Sequence, residues 1–179
     1  PRPAIRPYPA EYISHITLKN KTCALIRPIK PEDEPQVEAF HKELSEHSVR
    51  QRYFAFKSLE ERIAHERLVR VCASDFDHQI ALIAIDTQTS CVMGLARLTK
   101  LGDGKTADLK MLIGDAYHGR GLGQALIQQL QSISAKEGIN KICATILSEN
   151  SGMLYLLQKY GFQLTQDPSN LYTFAQFTF

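Results

Sequence analysis

The sequence predicts one α/β domain built on a mixed, mostly antiparallel sheet that is flanked by helices. Its 179 residues are 44% hydrophobic, which is enough for one sizeable core. Three short β-rich runs follow one another in the middle of the chain, separated by short polar turns, as in an antiparallel meander. Helical and strand-like patterns then alternate to the end, which is typical of a mixed architecture.

The first half of the chain is predicted to form one strand and then three helices, over residues 22–27, 34–44, 45–54 and 59–71. Pro28 follows the apolar run of the strand and ends it. Acidic residues begin the first helix, where the helix dipole favours them. Ser45 is expected to cap the second helix, and Ser58 with Glu61 forms a capping box that opens the third.

The second half is predicted to form the meander and then helix, strand, helix and strand, over residues 79–87, 91–100, 107–113, 121–136, 141–147, 150–160 and 172–179. Leucine and isoleucine recur at spacings of three and four along 121–136, so that one helix face can pack on a sheet. Gly138 and Gly161 are expected to end the two helices.

Composition excludes several classes of protein. A formal net charge of +2 does not favour binding to nucleic acid or to a membrane surface, and no apolar run approaches the length of a membrane span. The four cysteines, Cys23, Cys72, Cys91 and Cys143, lack zinc-ligand spacing, so no metal site is predicted. The last three lie among apolar neighbours and are expected to be buried free thiols, which favours a reducing cytoplasm.

Polar residues on the predicted helices are expected to face solvent. His41, His47 and His65 have no partner pattern and are predicted to be surface residues. The charged runs 60–62 and 66–67 are interpreted as solvated helix faces, with a substrate-binding patch as the alternative.

The N-terminal segment is rich in proline. Residues 1–9 read PRPAIRPYP, a composition that disfavours helix and is typical of an extended linker. We therefore expect a linker over residues 1–20, followed by one domain over residues 21–179. The start at Pro1 suggests a piece of a larger protein, and a processed or tag-cleaved start is the alternative.

Residues 108–129 carry the most informative pattern in the chain. A strand leads into the glycine-rich turn 118–123 (HGRGLG), which becomes the first turn of a helix. The start of a helix offers unpaired backbone N–H groups and the positive end of the dipole, so it can accept a diphosphate. Glycines let phosphate oxygens approach these N–H groups, and Arg120 adds a positive charge.

Two common phosphate loops do not fit this turn. A dinucleotide fingerprint needs glycine three residues after Gly123, but Leu126 stands there. It also needs an acidic residue about twenty positions further on, and this sequence has none there. A Walker A loop needs Lys and Ser or Thr where Arg120 and Gly121 stand. The plain alternative is a turn whose glycines merely allow tight packing between helix and sheet.

The turn resembles the acyl-CoA-binding motif of the GNAT superfamily of N-acetyltransferases, with His118 in place of the usual Gln or Arg. A second element of the superfamily, Asn followed eleven residues later by Gly-Phe, is matched by Asn150 and Gly161-Phe162. The resemblance implies the GNAT fold, with acetyl-CoA bound at the strand–loop–helix before residue 124. The residues it implies for coenzyme A binding are Met111, Leu112, Ile113, His118, Gly119, Arg120, Gly121, Leu122, Gly123, Gln124, Asn150 and Met153.

A more specific resemblance covers nearly the whole chain. Residues 6–9 (RPYP), 26–35 (IRPIKPEDEP), 44–45 and 52–54 are similar to the bacterial Pat-like protein lysine acetyltransferases. In that group the acetyltransferase domain follows a long region similar to NDP-forming acyl-CoA synthetases. The resemblance therefore implies a fusion to such a region and an acceptor lysine on a protein such as an acyl-CoA synthetase.

Asp108 is the candidate general base. Pat-like proteins resemble one another in an Ala-Glu pair at the start of the strand before the loop, and this chain has Ala107-Asp108 there. The alternative is that Asp108 is only a polar residue at the strand edge. Many GNAT enzymes place a Tyr four residues before the Gly-Phe to protonate the leaving thiolate, but Leu157 stands at that position, so no general acid is assigned.

The sequence therefore predicts a protein lysine N-acetyltransferase that works by direct attack of the lysine amine in a ternary complex. Two alternatives stay open. One is an enzyme that acetylates a small amine, and the other is a non-catalytic domain that senses acyl-CoA.

Overall fold

The computed structural model describes residues 6–73 and 75–179, and the predicted linker residues 1–5 lie outside it. Eight strands form one sheet in the order β1-β2-β3-β4-β5-β6-β8-β7. Their bounds are β1 Ser14–Thr17, β2 Cys23–Pro28, β3 Gln79–Asp86, β4 Val92–Lys100, β5 Thr106–Ile113, β6 Lys141–Leu147, β7 Gln163–Gln166 and β8 Tyr172–Thr178. Among the described strands, β5 and β6 are parallel and every other pair is antiparallel, which confirms the predicted sheet.

In the described part of the chain, six helices accompany the sheet: α1 Glu34–Lys42, α2 Glu46–Tyr53, α3 Leu59–Ile63, α4 His65–Cys72, α5 Leu122–Lys136 and α6 Ser151–Lys159. Short 3-10 turns cover Ala10–Tyr12, Pro31–Asp33 and Asp115–Tyr117. The α2 helix begins where the sequence predicts, because the Ser45 hydroxyl accepts the N–H of Ser48 at 3.1 Å.

The core consists of two clusters on opposite faces of the sheet. On one face the apolar stripe of α5, which includes Leu126 and Leu130, packs against strand residues such as Leu98. On the other face Phe40 of α1 and Leu68 of α4 pack against the same sheet. The predicted layers of helix on sheet are thereby confirmed.

The helix predicted over 59–71 is two helices in the structure. Ala64 adopts φ −51° and ψ 130°, an extended conformation that ends α3 and starts α4. No Gly or Pro marks this break, so local pattern could not reveal it. The change of direction lets Leu68 reach the core while Arg62 turns inward, where it donates to the carbonyl oxygens of Lys57 and His41.

His41 and Arg62 are buried, which corrects the prediction that both face solvent. The Arg62 Nη1 lies 3.3 Å from Nδ1 of His41 and 2.9 Å from the His41 carbonyl oxygen. Burial and then the positive charges of nearby arginines lower the pKa of His41 to about 3, so this imidazole is neutral at pH 7.

The residues of the RPIKPED segment have a structural role. The Arg27 guanidinium at the end of β2 binds both oxygens of Asp33, at 2.8 and 2.6 Å. Asp33 also accepts the backbone N–H of Lys30 at 2.7 Å. This bidentate pair clamps the turn between β2 and α1, and its geometry needs an arginine.

The segment predicted to be a linker over 1–20 contains a strand, so that part of the prediction is corrected. β1 pairs with β2 through four residues, and Leu18 is buried in the core. The side chains of Arg6 and Tyr12 both donate to the carboxylate of Glu137, at the C-terminal end of α5. The described part of this segment is therefore held against the domain.

All four cysteines are free thiols. Cys72 is buried as expected, but Cys91 is exposed because it lies next to a turn, and Cys143 is partly exposed although β6 is paired on both sides there. Over residues 6–73 and 75–179 no helix combines the length and apolarity that a bilayer span requires. The same residues contain no cluster of His, Cys, Asp and Glu suited to a metal ion.

We expect Glu137→Gln to lower the free energy of unfolding by about 2 kcal/mol, because a charge-assisted pair with Arg6 is lost in a partly buried setting. Hydrogen bonding from Arg6 holds the pKa of the Glu137 carboxyl below its ordinary 4.5. The folded state therefore keeps this stabilisation above about pH 4.5 and loses it as the pH falls through the lowered pKa. Urea denaturation at several pH values measures both effects.

The control is Glu11→Gln, which removes an exposed carboxylate from the same segment. It should change stability by less than about 0.5 kcal/mol. Equal stability of Glu137→Gln and the wild type would contradict the anchoring role.

Candidate functional site

The candidate site begins where β5 and β6 separate. These parallel strands pair through Thr106, Ala107 and Asp108, and the last pair is Asp108 with Cys143. Beyond it β5 stays paired with β4 as far as Ile113, and β6 stays paired with β8 to its own end. Among the described residues, one backbone edge is consequently left without a strand partner over about 16 Å of β5 and about 13 Å of β6, at about 3.3 Å per residue. An extended ligand with amide groups can bind to such an edge.

A cleft of about 700 Å³ fills this opening. Its walls are β5, β6, α2 and the N-terminal ends of α5 and α6. Eleven of the twelve residues implied for coenzyme A binding line it: Met111, Leu112, Ile113, His118, Gly119, Gly121, Leu122, Gly123, Gln124, Asn150 and Met153. The twelfth, Arg120, does not line the cleft, because its guanidinium lies over the ring of Tyr117, 5.4 Å from the centroid.

The glycine-rich turn presents a row of backbone donors. Gly119 and Gly121 have φ of +73° and +89°, a conformation that glycine adopts without strain. Within residues 6–73 and 75–179, no oxygen accepts a hydrogen bond from the N–H groups of residues 119–124. Six consecutive donors beside a cleft, at the positive end of a fifteen-residue helix, form a site suited to a diphosphate.

Gly123 has a different role from the other two glycines. A Cβ there would lie 2.8 Å from Leu156 Cδ2 and 3.1 Å from Ile113 Cδ1. This glycine lets α5 approach α6 and β5 closely, so the packing interpretation holds at Gly123. At Gly119 a Cβ would meet no atom, so packing does not require glycine there.

His118, which replaces the usual first residue of the motif, fixes the base of the turn. Its ring Nε2 lies 2.9 Å from the carbonyl oxygen of Ile113, the last residue of β5. The bond connects the strand end to the turn across five residues. The imidazole thus has a local structural partner in addition to its place beside the cleft.

Asn150 is the N-cap of α6. Its side-chain oxygen accepts the N–H of Met153 at 3.3 Å, and both residues line the cleft. Leu157 is fully buried in the core and cannot donate a proton to a ligand. Tyr155, two positions earlier, lines the cleft with a side chain that is 70% exposed.

Asp108 lies at the closed end of the opening. It is the last β5 residue paired with β6, and its side chain shares a sheet face with Arg97 and Lys110. One carboxylate oxygen lies 3.5 Å from the ammonium of Lys110. Asp108 is partly exposed and does not line the cleft wall, which begins at Leu109. It therefore stands just beyond the end of the cleft that is remote from the glycine-rich turn.

The structure adds residues that the sequence did not indicate. Lys19 lines the cleft beside the turn, and its side chain would lie 3.7 Å from a Cβ at Gly121. Its backbone N–H donates to the carbonyl of Arg120 at 3.1 Å. Lys19 follows β1, inside the segment predicted to be a linker, and no local motif marks it. From α2, Gln51 and Arg52 also line the cleft.

The position of α2 depends on Asp115, in the short turn after β5. Its carboxylate accepts hydrogen bonds from Ser45 and from the hydroxyl of Ser48, at 2.7 to 2.9 Å. Burial raises the pKa of Asp115, but these hydrogen bonds outweigh it and hold the pKa below its ordinary value. From the same helix, the guanidinium of Arg50 forms an ion pair with the carboxylate of Glu149 at 3.0 Å. Glu149 follows β6, so this pair connects α2 to the far side of the opening between β5 and β6.

Comparison with known proteins agrees with this geometry. The family model for an acetyltransferase (GNAT) domain matches residues 24–163. A 58-residue stretch is 36% identical to the "Putative phosphinothricin acetyltransferase YwnH" of Bacillus subtilis (strain 168). That match covers 32% of this chain and 36% of YwnH, about a third of the length of the curated relative.

Solved structures share the fold over most of the chain. The GNAT domain of S. lividans PAT superposes with a TM-score of 0.87 at 23% identity, over 97% of this chain and all of that one. The PaiA N-acetyltransferase of Thermoplasma acidophilum, in complex with coenzyme A, gives 0.70 at 18% identity, over 87% and 99%. Mycobacterium smegmatis RimJ, in complex with CoA-disulfide, gives 0.77 at 12% identity, over 93% and 86%.

We expect Gly119→Ala to weaken coenzyme A binding by about tenfold, since a Cβ at φ +73° disturbs the row of N–H donors. The matched control is Gly138→Ala, at the far end of α5, where φ is +75° and a Cβ also meets no atom. Both variants should lose about 1–2 kcal/mol of stability. Titration calorimetry should show a changed dissociation constant for Gly119→Ala alone, and equal losses of affinity would contradict a special role of the turn.

Lys19→Gln should raise the dissociation constant of coenzyme A about fivefold at low ionic strength, because one cation beside the turn is removed. The difference should shrink as salt is added. Lys21→Gln changes an exposed lysine two residues away that does not line the cleft, and it should bind as the wild type does. If the two variants behave alike, Lys19 has no specific contact with the ligand.

Proposed function

Because the chain belongs to the acetyltransferase (GNAT) family, we propose that it is an acetyl-CoA-dependent N-acetyltransferase whose acceptor is a lysine side chain of a protein. The observation that carries the proposal is the opening between β5 and β6 after Asp108. It leads to six N–H groups at the start of α5 that have no acceptor in the described part of the chain. This arrangement suits a ligand with an extended amide-containing arm at one end and a diphosphate at the other.

The described residues fit coenzyme A. The turn at Gly119 and Gly121, with Lys19 beside it, would hold the diphosphate. The free edges of β5 and β6 would hold the pantetheine arm, as a strand would be held. When bound, acetyl-CoA supplies an acetyl group activated as a thioester. Backbone N–H groups of β5 can polarise a carbonyl oxygen placed against them.

We assign Asp108 the removal of the proton from the acceptor amine. An unperturbed lysine, with a pKa of about 10.4, is almost entirely protonated at neutral pH and needs a base before it can attack a carbonyl carbon. The support is the position of Asp108 at the closed end of the opening, partly exposed and on the face that carries Arg97 and Lys110. Because an aspartate is short and Asp108 does not line the cleft wall, we propose that a water molecule relays the proton.

The choice of a protein acceptor rests on the resemblance of the RPIKPEDEP segment to Pat-like enzymes. The domain shares its fold with the GNAT domain of S. lividans PAT. We further propose an acyl-CoA synthetase as the acceptor and as the type of region fused to this domain. The partial match to YwnH favours a second candidate, acetylation of a small amine such as phosphinothricin.

The two candidates separate in one assay. Release of coenzyme A from acetyl-CoA should accelerate with a purified acetyl-CoA synthetase, and mass spectrometry should find acetyl-lysine in that protein. Faster release with phosphinothricin or a polyamine, and none with the synthetase, would favour the small-amine enzyme. Saturable binding of acetyl-CoA without acceleration by any acceptor would favour a sensor.

Asp108→Asn should lower kcat by roughly 10² or more, since the amide cannot take up the proton, and should leave the dissociation constant of acetyl-CoA nearly unchanged. Steady-state kinetics and calorimetry on one preparation measure both. Asp77→Asn, at an exposed loop carboxylate away from the cleft, is the control for loss of one negative charge. Unchanged kcat in Asp108→Asn would remove this residue from the mechanism.

A further inference from the structure

A second cavity, of about 50 Å³, lies on the other side of β5 from the glycine-rich turn and is rich in positive charge. Three arginines line it: Arg52 from α2, Arg67 from α4 and Arg97 from β4. We call this cavity the arginine pocket. Arg52, Lys110 and Leu112 line both the arginine pocket and the cleft, so the two spaces adjoin at β5.

The three guanidinium groups have few partners. Arg97 donates to the Val71 carbonyl at 3.2 Å, and Arg67 donates to the carbonyl of Arg62 and to the hydroxyl of Tyr53. Arg52 makes no hydrogen bond to any described residue and lies over the Tyr53 ring, 4.7 Å from its centroid. Each guanidinium carries five N–H donors, so most of these donors are free for water or a ligand.

No carboxylate among residues 6–73 and 75–179 forms an ion pair with these three arginines. The negative charge of Asp108 acts to raise the pKa of Arg52, although the two side chains form no ion pair. Asp108 is itself paired with Lys110. Arg97 also faces Lys110 directly in the β4–β5 register, which places like charges opposite each other.

The charges of the arginine pocket repel one another. Burial, then the positive charges of Arg52 and Arg67, lowers the pKa of Arg97. Burial and the charge of Arg67 lower the pKa of Arg52 in the same way. His41, which also lines the pocket, is neutral at pH 7 and adds no charge. A partly buried cluster of cations without a counter-ion is costly, and an anion would relieve that cost.

We propose that the arginine pocket binds one oxyanion group, a carboxylate or a phosphate, next to the place where the acceptor amine reacts. Planar guanidinium forks match these anions in geometry, and about 50 Å³ accommodates one such group rather than a nucleotide. The position next to Asp108 and the cleft makes an acidic side chain near the acceptor lysine one source, and free phosphate the other. The first source depends on the proposed function, but the binding of an oxyanion does not.

The binding test uses inorganic phosphate and thermal unfolding of the whole chain, with coenzyme A present at saturation so that the glycine-rich turn is occupied. At constant ionic strength, phosphate should raise the Tm of the wild type by about 2 °C or more. The rise should be lost in Arg97→Gln and in Arg67→Gln. The matched control is Arg70→Gln, an exposed arginine on the same helix as Arg67, which should keep the full rise.

The kinetic test uses two lysine peptides that differ by Glu against Gln beside the acceptor lysine. If the acceptor supplies the anion, the Glu peptide should have a KM about tenfold lower, and Arg97→Gln should remove the difference. Phosphate should then compete with the Glu peptide. If the anion is free phosphate, the Tm rise depends on the arginines while the two peptides react alike.

Two results together overturn the proposal. In the first, phosphate produces no rise in Tm that depends on Arg67 or Arg97. In the second, the two peptides have equal KM values in the wild type. The arginines would then only pack around Tyr53. Should either glutamine variant fail to fold by circular dichroism, the wild-type comparison of peptides and the Arg70 control still decide the matter. If no peptide is acetylated at all, the proposed function fails while the Tm test still reports on the pocket.

Discussion

The end of β5–β6 pairing at Asp108 and Cys143 is the constraint on which the candidate site depends. A sheet that stayed paired would satisfy its own backbone groups and leave no room between the strands. Here each of the two strands keeps its outer neighbour and loses the inner one. The core therefore remains intact on both faces, while one gap in the hydrogen-bond ladder leaves an edge ready to pair with a ligand.

The two spaces that meet at β5 differ in the kind of positive potential they offer. Near the glycine-rich turn the donors are backbone N–H groups, which are fixed in place and carry no net charge. In the arginine pocket the donors are charged side chains on three different elements. The alternation of side chains along β5 keeps these spaces distinct, since Met111 faces one cluster of the core and Leu112 the other.

Long periodic patterns were predictable from the sequence, and features set by distant contacts were not. The stripe along α5 and the meander of β3 to β5 follow from local spacing, as does the cap at Ser45. The strands β1 and β7 are four-residue edge strands with alternating or weak burial, so only pairing with a neighbour reveals them. The break at Ala64 lacks a breaker residue and accompanies a bond from Arg62 to a carbonyl 21 residues away.

The same distinction applies to the candidate site. The spacing of glycines identified the turn, because phosphate recognition by backbone N–H groups needs a local sequence. The places of Lys19 and Arg52 beside the cleft depend on how remote segments pack, and no local motif specifies them. Gly123 is a glycine like Gly119 and Gly121, but it is required for another reason. A side chain at Gly123 would collide with Leu156, which is close to it only in the folded chain.

The sheet order also bears on where this domain can be cut. The family match spans residues 24–163, and a chain trimmed to those bounds would lack β1, β8 and all of β7 except Gln163. Without β8, the end of β6 would have two bare edges, and β2 would become an outer strand. Bare edges pair with other copies of a chain and promote aggregation. The strands beyond the matched region thus cover edges of β2 and β6 that would otherwise be open.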